Sequence, residues 1–421
     1  MVDMILEPLS ELTEYMAKGI APKYTEGDSE NAIYVLNQKC NRNFKISYEY
    51  ARLHDLSKKK VSDERYVQKY DVLINSTGTG TAGRVAQMME VAIPTTVDGH
   101  MIILRNNEKI DPLYYGYAVK SHQPEIEELA EGSTGQTEIN KKRLMDEVII
   151  SYPKDLEEQR KISTFLYEID QKIELNNEIN KNLEEQAVVL FRSWFSAFSL
   201  SPNSPRVNSE FGEIPEDFAV VKVGSLPMLV TDYVANGSFA SLKANVNLYQ
   251  EPNYAYFIRN TDLKSGSFGV FVDQHSYEFL SKSTLYGGEI IISNVGDVGS
   301  VFLCPKLDGR MTLGNNIIML RPEDDHLRYY LYIWFKYFQG QALIQGIKGG
   351  SAQPKFNKTD FKNTSVLIPP KDILTRFHET VAPMFETISQ RQAETSRLAD
   401  LRDTLLPQLM SGEIDVSDLD L

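Results

Sequence analysis

Residues 153–195 read PKDLEEQRKISTFLYEIDQKIELNNEINKNLEEQAVVLFRSWF, a stretch without glycine and with proline only at its start. A 4,3 spacing through it selects Ile162, Leu166, Ile169, Ile173, Asn176, Asn180, Leu183, Ala187, Leu190 and Trp194. Repeated every 3.5 residues on average, apolar side chains form one seam along a helix, the pattern of a coiled coil. From Ile162 to Trp194 the seam spans about 50 Å at roughly 1.5 Å per residue.

The same spacing recurs 215 residues later, in Phe377, Val381, Met384, Ile388, Arg391, Thr395, Leu398, Arg402, Leu405 and Leu409. Both seams turn polar in the middle, at Asn176 and Asn180 in one and at Arg391 and Thr395 in the other. A buried polar layer lowers stability but fixes register. With centres aligned and chains antiparallel, Asn176 meets Thr395 and Asn180 meets Arg391. Parallel pairing aligns the same layers, so the pattern sets register and leaves direction open.

What precedes each helix is also repeated, at an offset of about 216–218 residues. LTEYMAKG (12–19) matches VTDYVANG (230–237), and DVLIN (71–75) matches EIIIS (289–293). Each short β-branched run leads into a Gly-rich turn, STGTGTAGRV or NVGDVGSV, and then into an apolar run ending in arginine, HMIILR to Arg105 or NIIMLR to Arg321. GSTGQTEINKKRL (132–144) and GSAQPKFNKTDF (350–361) follow, then an apolar strand and a Pro-Lys-Asp step into the helix. A repeat of this period makes the chain two copies of one unit, module then helix. The expected domains are a first recognition module at 1–153, its helix at 154–200, a linker and second module at 201–370, and a second helix with an acidic tail at 371–421. The Ser-, Pro- and Asn-rich SLSPNSPRVNSEFGEIP between the halves reads as linker.

Composition narrows the function. The chain has 421 residues, 42% hydrophobic and 24% charged, ordinary for a globular protein of more than one domain. No run approaches the eighteen or so apolar residues of a membrane span, and the acidic N-terminus lacks a secretory signal's basic region. Cys40 and Cys304 stand alone, which fits reduced cytoplasmic thiols and no zinc site. The net charge of −14 opposes nucleic-acid binding by electrostatics alone, because neutralising phosphates takes Lys and Arg.

Catalytic motifs fail on inspection. Gly78 to Gly83 match GxGxxG, but no acidic residue ends a second strand some twenty positions on, and the second copy lacks the fingerprint. His378-Glu379 opens like HExxH, with Ala382 where the second histidine belongs. No P-loop and no Asn-Pro-Pro-Tyr/Phe tetrapeptide is present.

Taken together, these segments resemble the specificity subunit of type I restriction–modification systems over nearly the whole chain. Residues 153–195 look like that family's central conserved region, LRDTLLPQLMSGEI (401–414) like its distal counterpart, and IPEDFAVVKVGSL (214–226) like the opening of a target-recognition domain, an opening the first module lacks. The resemblance implies an α+β fold of two tandem, repeat-related recognition domains joined by two long helices in an antiparallel coiled coil. It implies a non-catalytic subunit whose domains each read half of a bipartite double-stranded DNA target. The helices then set the unread spacer and dock two methyltransferase subunits, with two motor-nuclease subunits completing the enzyme. S-adenosylmethionine would sit on the methyltransferase, ATP and Mg on the motor-nuclease, and no cofactor or metal on this chain. An acidic chain could then read bases while its partners hold phosphates.

Reading bases needs directional donors and acceptors on turns able to enter a groove. The candidates are Ser76, Thr77, Thr79, Arg84, Ser133, Thr134 and Gln136 in the first module, and Arg259, Asn294, Lys348, Ser351, Gln353 and Lys355 in the second. The basic runs 58–60 and 141–143 are phosphate candidates. For helix pairing and partner docking they are Ile169, Ile173, Asn176, Asn180, Leu183, Leu190, Met384, Ile388, Arg391, Thr395, Leu398 and Leu405. Two other readings remain: a protein-binding adaptor, which adds no sequence preference to a partner methyltransferase, and a dinucleotide enzyme, which binds its cofactor in isolation.

Overall fold

A computed structural model describes residues 3–27, 31–132, 137–350 and 353–414. The chain divides into two compact units, Met1–Gln171 with Ala399–Leu421, and Lys172–Leu398. Each long helix therefore contributes to both.

The first unit is built on an antiparallel sheet ordered Thr13–Lys18, Met101–Asn106, Val72–Asn75, Val85–Gln87. Strand Val72–Asn75 is buried throughout because both faces of the sheet are covered. Successive side chains of a strand point to opposite faces. Accordingly Val72, Ile74, Ile102 and Leu104 enter one core with the tyrosine-rich helix Pro112–Ser121, while Leu73, Met101 and Ile103 enter a second core with Leu36 and Val97. Those last two belong to another sheet, ordered Thr95–Val97, Ala32–Leu36, Arg52–Asp55, Tyr24–Thr25, whose first two strands run parallel.

The second unit repeats this plan. Its sheet is ordered Met228–Asp232, Ile317–Pro322, Ile290–Ser293, Val301–Leu303. Ile290, Ile292, Ile318 and Leu320 face a core shared with helix His326–Tyr337, and Ile291, Ile317 and Met319 face the core under a five-stranded second sheet. Ala255–Ile258 runs parallel to Arg310–Leu313 there, as Ala32–Leu36 does to Thr95–Val97. The repeat read from matching sequence segments is thus a repeat of topology.

The long helices are Leu156–Phe191, extended by a π-helical turn over Arg192–Ser196, and Lys371–Ser411. All twenty seam positions are buried or half-buried, whereas Lys172, Leu175, Lys181, Glu185 and Val189 between them are exposed. Direction follows from contacts inside each unit. In the second, Trp194 lies against Phe377 (5.8 Å between rings) and Asn176 bonds to Arg391. In the first, Arg402 donates to Asp170 at 2.6 Å, and Ile162 and Leu166 share a core with Leu406, Leu409 and Met410. Numbers fall along one helix as they rise along the other, so the pair is antiparallel.

The polar layer sits where the seams placed it, but its pairing differs. Arg391 Nη1 donates to Asn176 Oδ1 at 2.8 Å, not to Asn180, and Asn176 Nδ2 donates to Glu394 Oε2 at 2.9 Å. A long arginine reaches past the position opposite it, and the carboxylate beside the seam turns in to accept the second amide proton. Asn180 Oδ1 and Thr395 Oγ1 are left buried without a hydrogen-bond partner among the described residues. Aromatic packing closes the seam at its second-unit end, where Phe191 and Phe195 pack on Phe377 and Tyr330.

Candidate nucleic-acid interface

The repeated motifs meet at the two ends of the main sheet. At one end the acid opening DVLIN and the arginine closing HMIILR form a clamp. Arg105 donates through Nε and Nη2 to Asp71 at 2.8 and 2.7 Å, and the backbone N–H of Gln68 adds a third bond at 2.7 Å. Burial pushes the Asp71 carboxyl above its ordinary value, with Arg105 pulling it back. In the second unit Arg321 clamps Glu289 in the same place, at 2.8 Å. The matching acids and arginines therefore hold the sheet and do not face a ligand.

At the other end lie the Gly-rich turns. In the first unit the turn joins antiparallel strands Val72–Asn75 and Val85–Gln87, a hairpin and not the strand–turn–helix of a dinucleotide loop. Gly78, Gly80 and Gly83 all have positive φ, and a Cβ on Gly83 would meet the backbone of Glu127 at 2.6 Å. Glu138 and Ile139 lie beside this turn, Ile139 N donating to Ser76 O at 2.8 Å and Thr77 bridging to Glu138. In the second unit Phe356 N donates to Asn294 O at 3.0 Å, and Val295 bridges to Lys355. In both copies a described stretch that follows the Gly-Ser-Gln segment, Glu138–Ile139 or Lys355–Phe356, is joined to the Gly-rich turn at one sheet end.

Their individual settings differ. Ser76 is fully buried, its hydroxyl without a partner among the described residues, Thr77 bonds to His100 Nδ1 at 2.7 Å, and Thr79 is exposed at the tip. Arg84 is half-buried and donates to Gly80 O at 2.9 Å. Asn294 Nδ2 donates to Phe356 O at 3.3 Å and its Oδ1 is buried without a partner among the described residues, while Lys348, Gln353 and Lys355 are exposed. Arg259 is folded back onto Asp262, through Nε at 2.9 Å and Nη2 at 2.6 Å, capping helix Asn260–Ser265. Ser133, Thr134, Gln136 and Ser351 lie outside the described residues. Of the basic runs, Lys58 pairs with Asp55 at 3.4 Å and Arg143 with Glu131 and Glu147 at 2.8 and 2.9 Å.

The asparagines of INKKRL and FNKTDF are helix caps. Asn140 accepts from the N–H groups of Lys142 and Arg143, and Asn357 from that of Asp360, starting short helices that bury Leu144 and Phe361. The two copies share this segment because it builds the fold. Sequence reading missed an ion pair that ties the first strand to it in each unit: Lys18 to Glu138 at 2.5 Å, and Asp232 to Lys358 at 3.0 Å. The charges are reversed between copies, a signal visible only once both segments are known to be neighbours. Among the described residues no cluster of three His, Cys, Asp or Glu is placed to hold a metal ion, and no helix is long and apolar enough to cross a membrane.

Two tandem modules of one topology, each followed by a long helix, and the two helices paired antiparallel, define the class. The chain belongs to the type I restriction modification DNA specificity domain family, which matches residues 11–185 and 215–394. It is 28% identical over 98% of its length to the type I restriction enzyme MjaIX specificity subunit of Methanocaldococcus jannaschii, covering 90% of that protein. It is 25% identical to the HindI specificity subunit of Haemophilus influenzae, over 62% of this chain and 68% of that one. In fold it is similar to the type I restriction–modification S subunit from M. genitalium, with a TM-score of 0.56 at 17% identity over 97% of this chain and 96% of the other.

Proposed function

We propose that this chain is the non-catalytic DNA-reading subunit of a type I restriction–modification enzyme, each unit reading one half of a bipartite double-stranded target. The observation that carries the reading is the sheet end shared by both units. The same pair of loops is held there on the same clamped sheet, with different side chains exposed: Thr79 in one, Lys348 and Lys355 in the other. Common scaffolding with divergent tips suits an asymmetric site whose halves have different sequences. It is the one-chain counterpart of a dimer reading two half-sites.

The helix pair sets the number of unread base pairs between the halves and docks two methyltransferase subunits, joined in the full enzyme by two motor-nuclease subunits. S-adenosylmethionine belongs to the methyltransferase, ATP and Mg to the motor-nuclease, and the assembly works in the cytoplasm. The net charge of −14 supports a division in which the partners hold most phosphates. Competition binding tests this, with the chain assembled on its partner methyltransferase and a library of duplexes. The account expects enrichment of one split sequence; equal binding of all duplexes refutes it and favours a protein-binding adaptor.

A further inference from the structure

We infer that the hairpin formed by residues 41–46 is a second DNA-reading element of the first unit, with Arg42 and Asn43 as its base contacts. This rests on the reading of the chain as a DNA-specificity subunit and adds an element to that site.

The hairpin follows strand Ala32–Leu36 of the second sheet. Asn41 pairs with Ile46 and Arg42 with Lys45, leaving Asn43 and Phe44 as a two-residue turn with φ of 52° and 62°. Positive φ at both central positions matches the twist of paired strands, and asparagine accepts it readily. A phenylalanine there is a genuine outlier, held only where its surroundings over-determine it. Here the Phe44 ring packs 5.1 Å from that of Tyr117, and its backbone bridges to Ala86. Burying Phe44 turns Arg42 and Asn43 to solvent, and both are exposed.

The hairpin is also fastened to the Gly-rich turn. Asn41, with no exposed surface, donates to Leu73 O at 3.2 Å and Arg84 O at 2.9 Å, and Asn75 Nδ2 donates to Gln38 O at 3.2 Å. It is therefore rigid and lies beside the loops already assigned to reading. The second unit supplies the contrast. The equivalent strand there, Ala255–Ile258, is also followed by a segment that abuts the Gly turn, since Asn260 and Lys264 bond to its Asp297 at 3.4 and 2.6 Å. There the chain forms a helix and Arg259 is spent on Asp262. Arg42 has no carboxylate partner among the described residues and only the ring of Tyr50, 6.0 Å away. The segment after this strand is a closed helix in one unit and an open hairpin in the other, a difference that lets the two halves of a target be read differently. A free guanidinium beside an amide, on a fixed turn, has the donor geometry for the outer edges of adjacent purines in the major groove.

The test uses the whole chain assembled with its methyltransferase subunits, carrying Arg42→Lys, Arg42→Ala or Asn43→Gly, and maps every methylated site. Asn43→Gly keeps the positive φ and removes only the amide. Arg42→Lys keeps the charge and removes the bidentate fork. Each is expected to lower discrimination at one or two adjacent positions of one half-site by about ten- to a hundred-fold, leaving the other half-site and the spacer unchanged. Arg42→Lys should keep its overall DNA affinity within a few-fold of the parent. Unchanged discrimination in both halves with all three variants overturns the inference while leaving the wider reading intact. So does uniform weakening without any change of preference. If the parent assembly itself shows no split motif, the wider reading fails first.

Discussion

Replacing Arg105 by methionine removes one half of the clamp that holds the first unit's sheet. Asp71 is 1% exposed and Arg105 13%, so the carboxylate left behind cannot recover its lost bonds from water. Two charge-assisted hydrogen bonds go, each worth about 1.5–3 kcal/mol, and Gln68 N–H remains as the one donor to Asp71. Breaking a buried pair in this way costs about 3–5 kcal/mol. Removing both partners, as Asp71→Leu with Arg105→Met, leaves no stranded charge, and the loss should shrink well below the sum of the single variants. Hydrogen exchange of the strands Val72–Asn75 and Met101–Asn106 reads the first unit directly. The chain's two tryptophans, Trp194 and Trp334, both belong to the second unit and report its unfolding separately. Protection should fall by about 3–5 kcal/mol in the first unit, with a smaller change in tryptophan-detected urea unfolding. A loss under about 1 kcal/mol, or additivity in the double variant, refutes the argument that the repeated acid and arginine are a buried structural pair.

Asn176→Leu combined with Arg391→Leu trades the polar layer for apolar burial without stranding the guanidinium, so stability should hold or rise while the helix pair loses its unique register, seen as heterogeneous exchange along residues 172–191. Adding seven residues to both helices beside that layer lengthens the pair by about 10 Å, and the unread spacer in the methylated motif should grow by about three base pairs; an unchanged spacer removes the measuring role. His378 packs against Tyr329 and His326, and burial first, then His326, lower its pKa below the ordinary 6.5. A histidine that resists protonation when folded makes stability full above the unfolded value and lost as pH falls through it, so second-unit unfolding should become easier from pH 7.5 to 5.5, and His378→Gln should flatten that slope. Gly83→Ala forces a Cβ into the Glu127 backbone at positive φ, and should impair reading of one half-site only, by methylation mapping.

The helices and the repeat were legible because their signals are long. A seam of ten positions survives irregularities such as Pro383 within the second helix. Paired segments such as DVLIN and EIIIS mark strands whose burial on both faces demands continuous apolar runs. Direction was not legible, since the polar layers of the two seams align either way. The partner of Arg391 was misjudged because a long side chain does not meet the residue opposite its own Cα. The clamps were visible as letters and not as contacts, because Asp71 and Arg105 become neighbours only when strands 34 residues apart pair. The hairpin at 41–46 gave least notice. Its Asn-Phe turn lacks the glycine that announces such turns, and its shape depends on Tyr117, 73 residues further on.

The most direct test of the account maps adenine methylation across a genome with this chain present and deleted, its partner subunits active in both. The account predicts that deletion abolishes one motif made of two short specified halves around a fixed unread spacer. A methylation pattern that does not change, or a lost motif that is continuous, contradicts it.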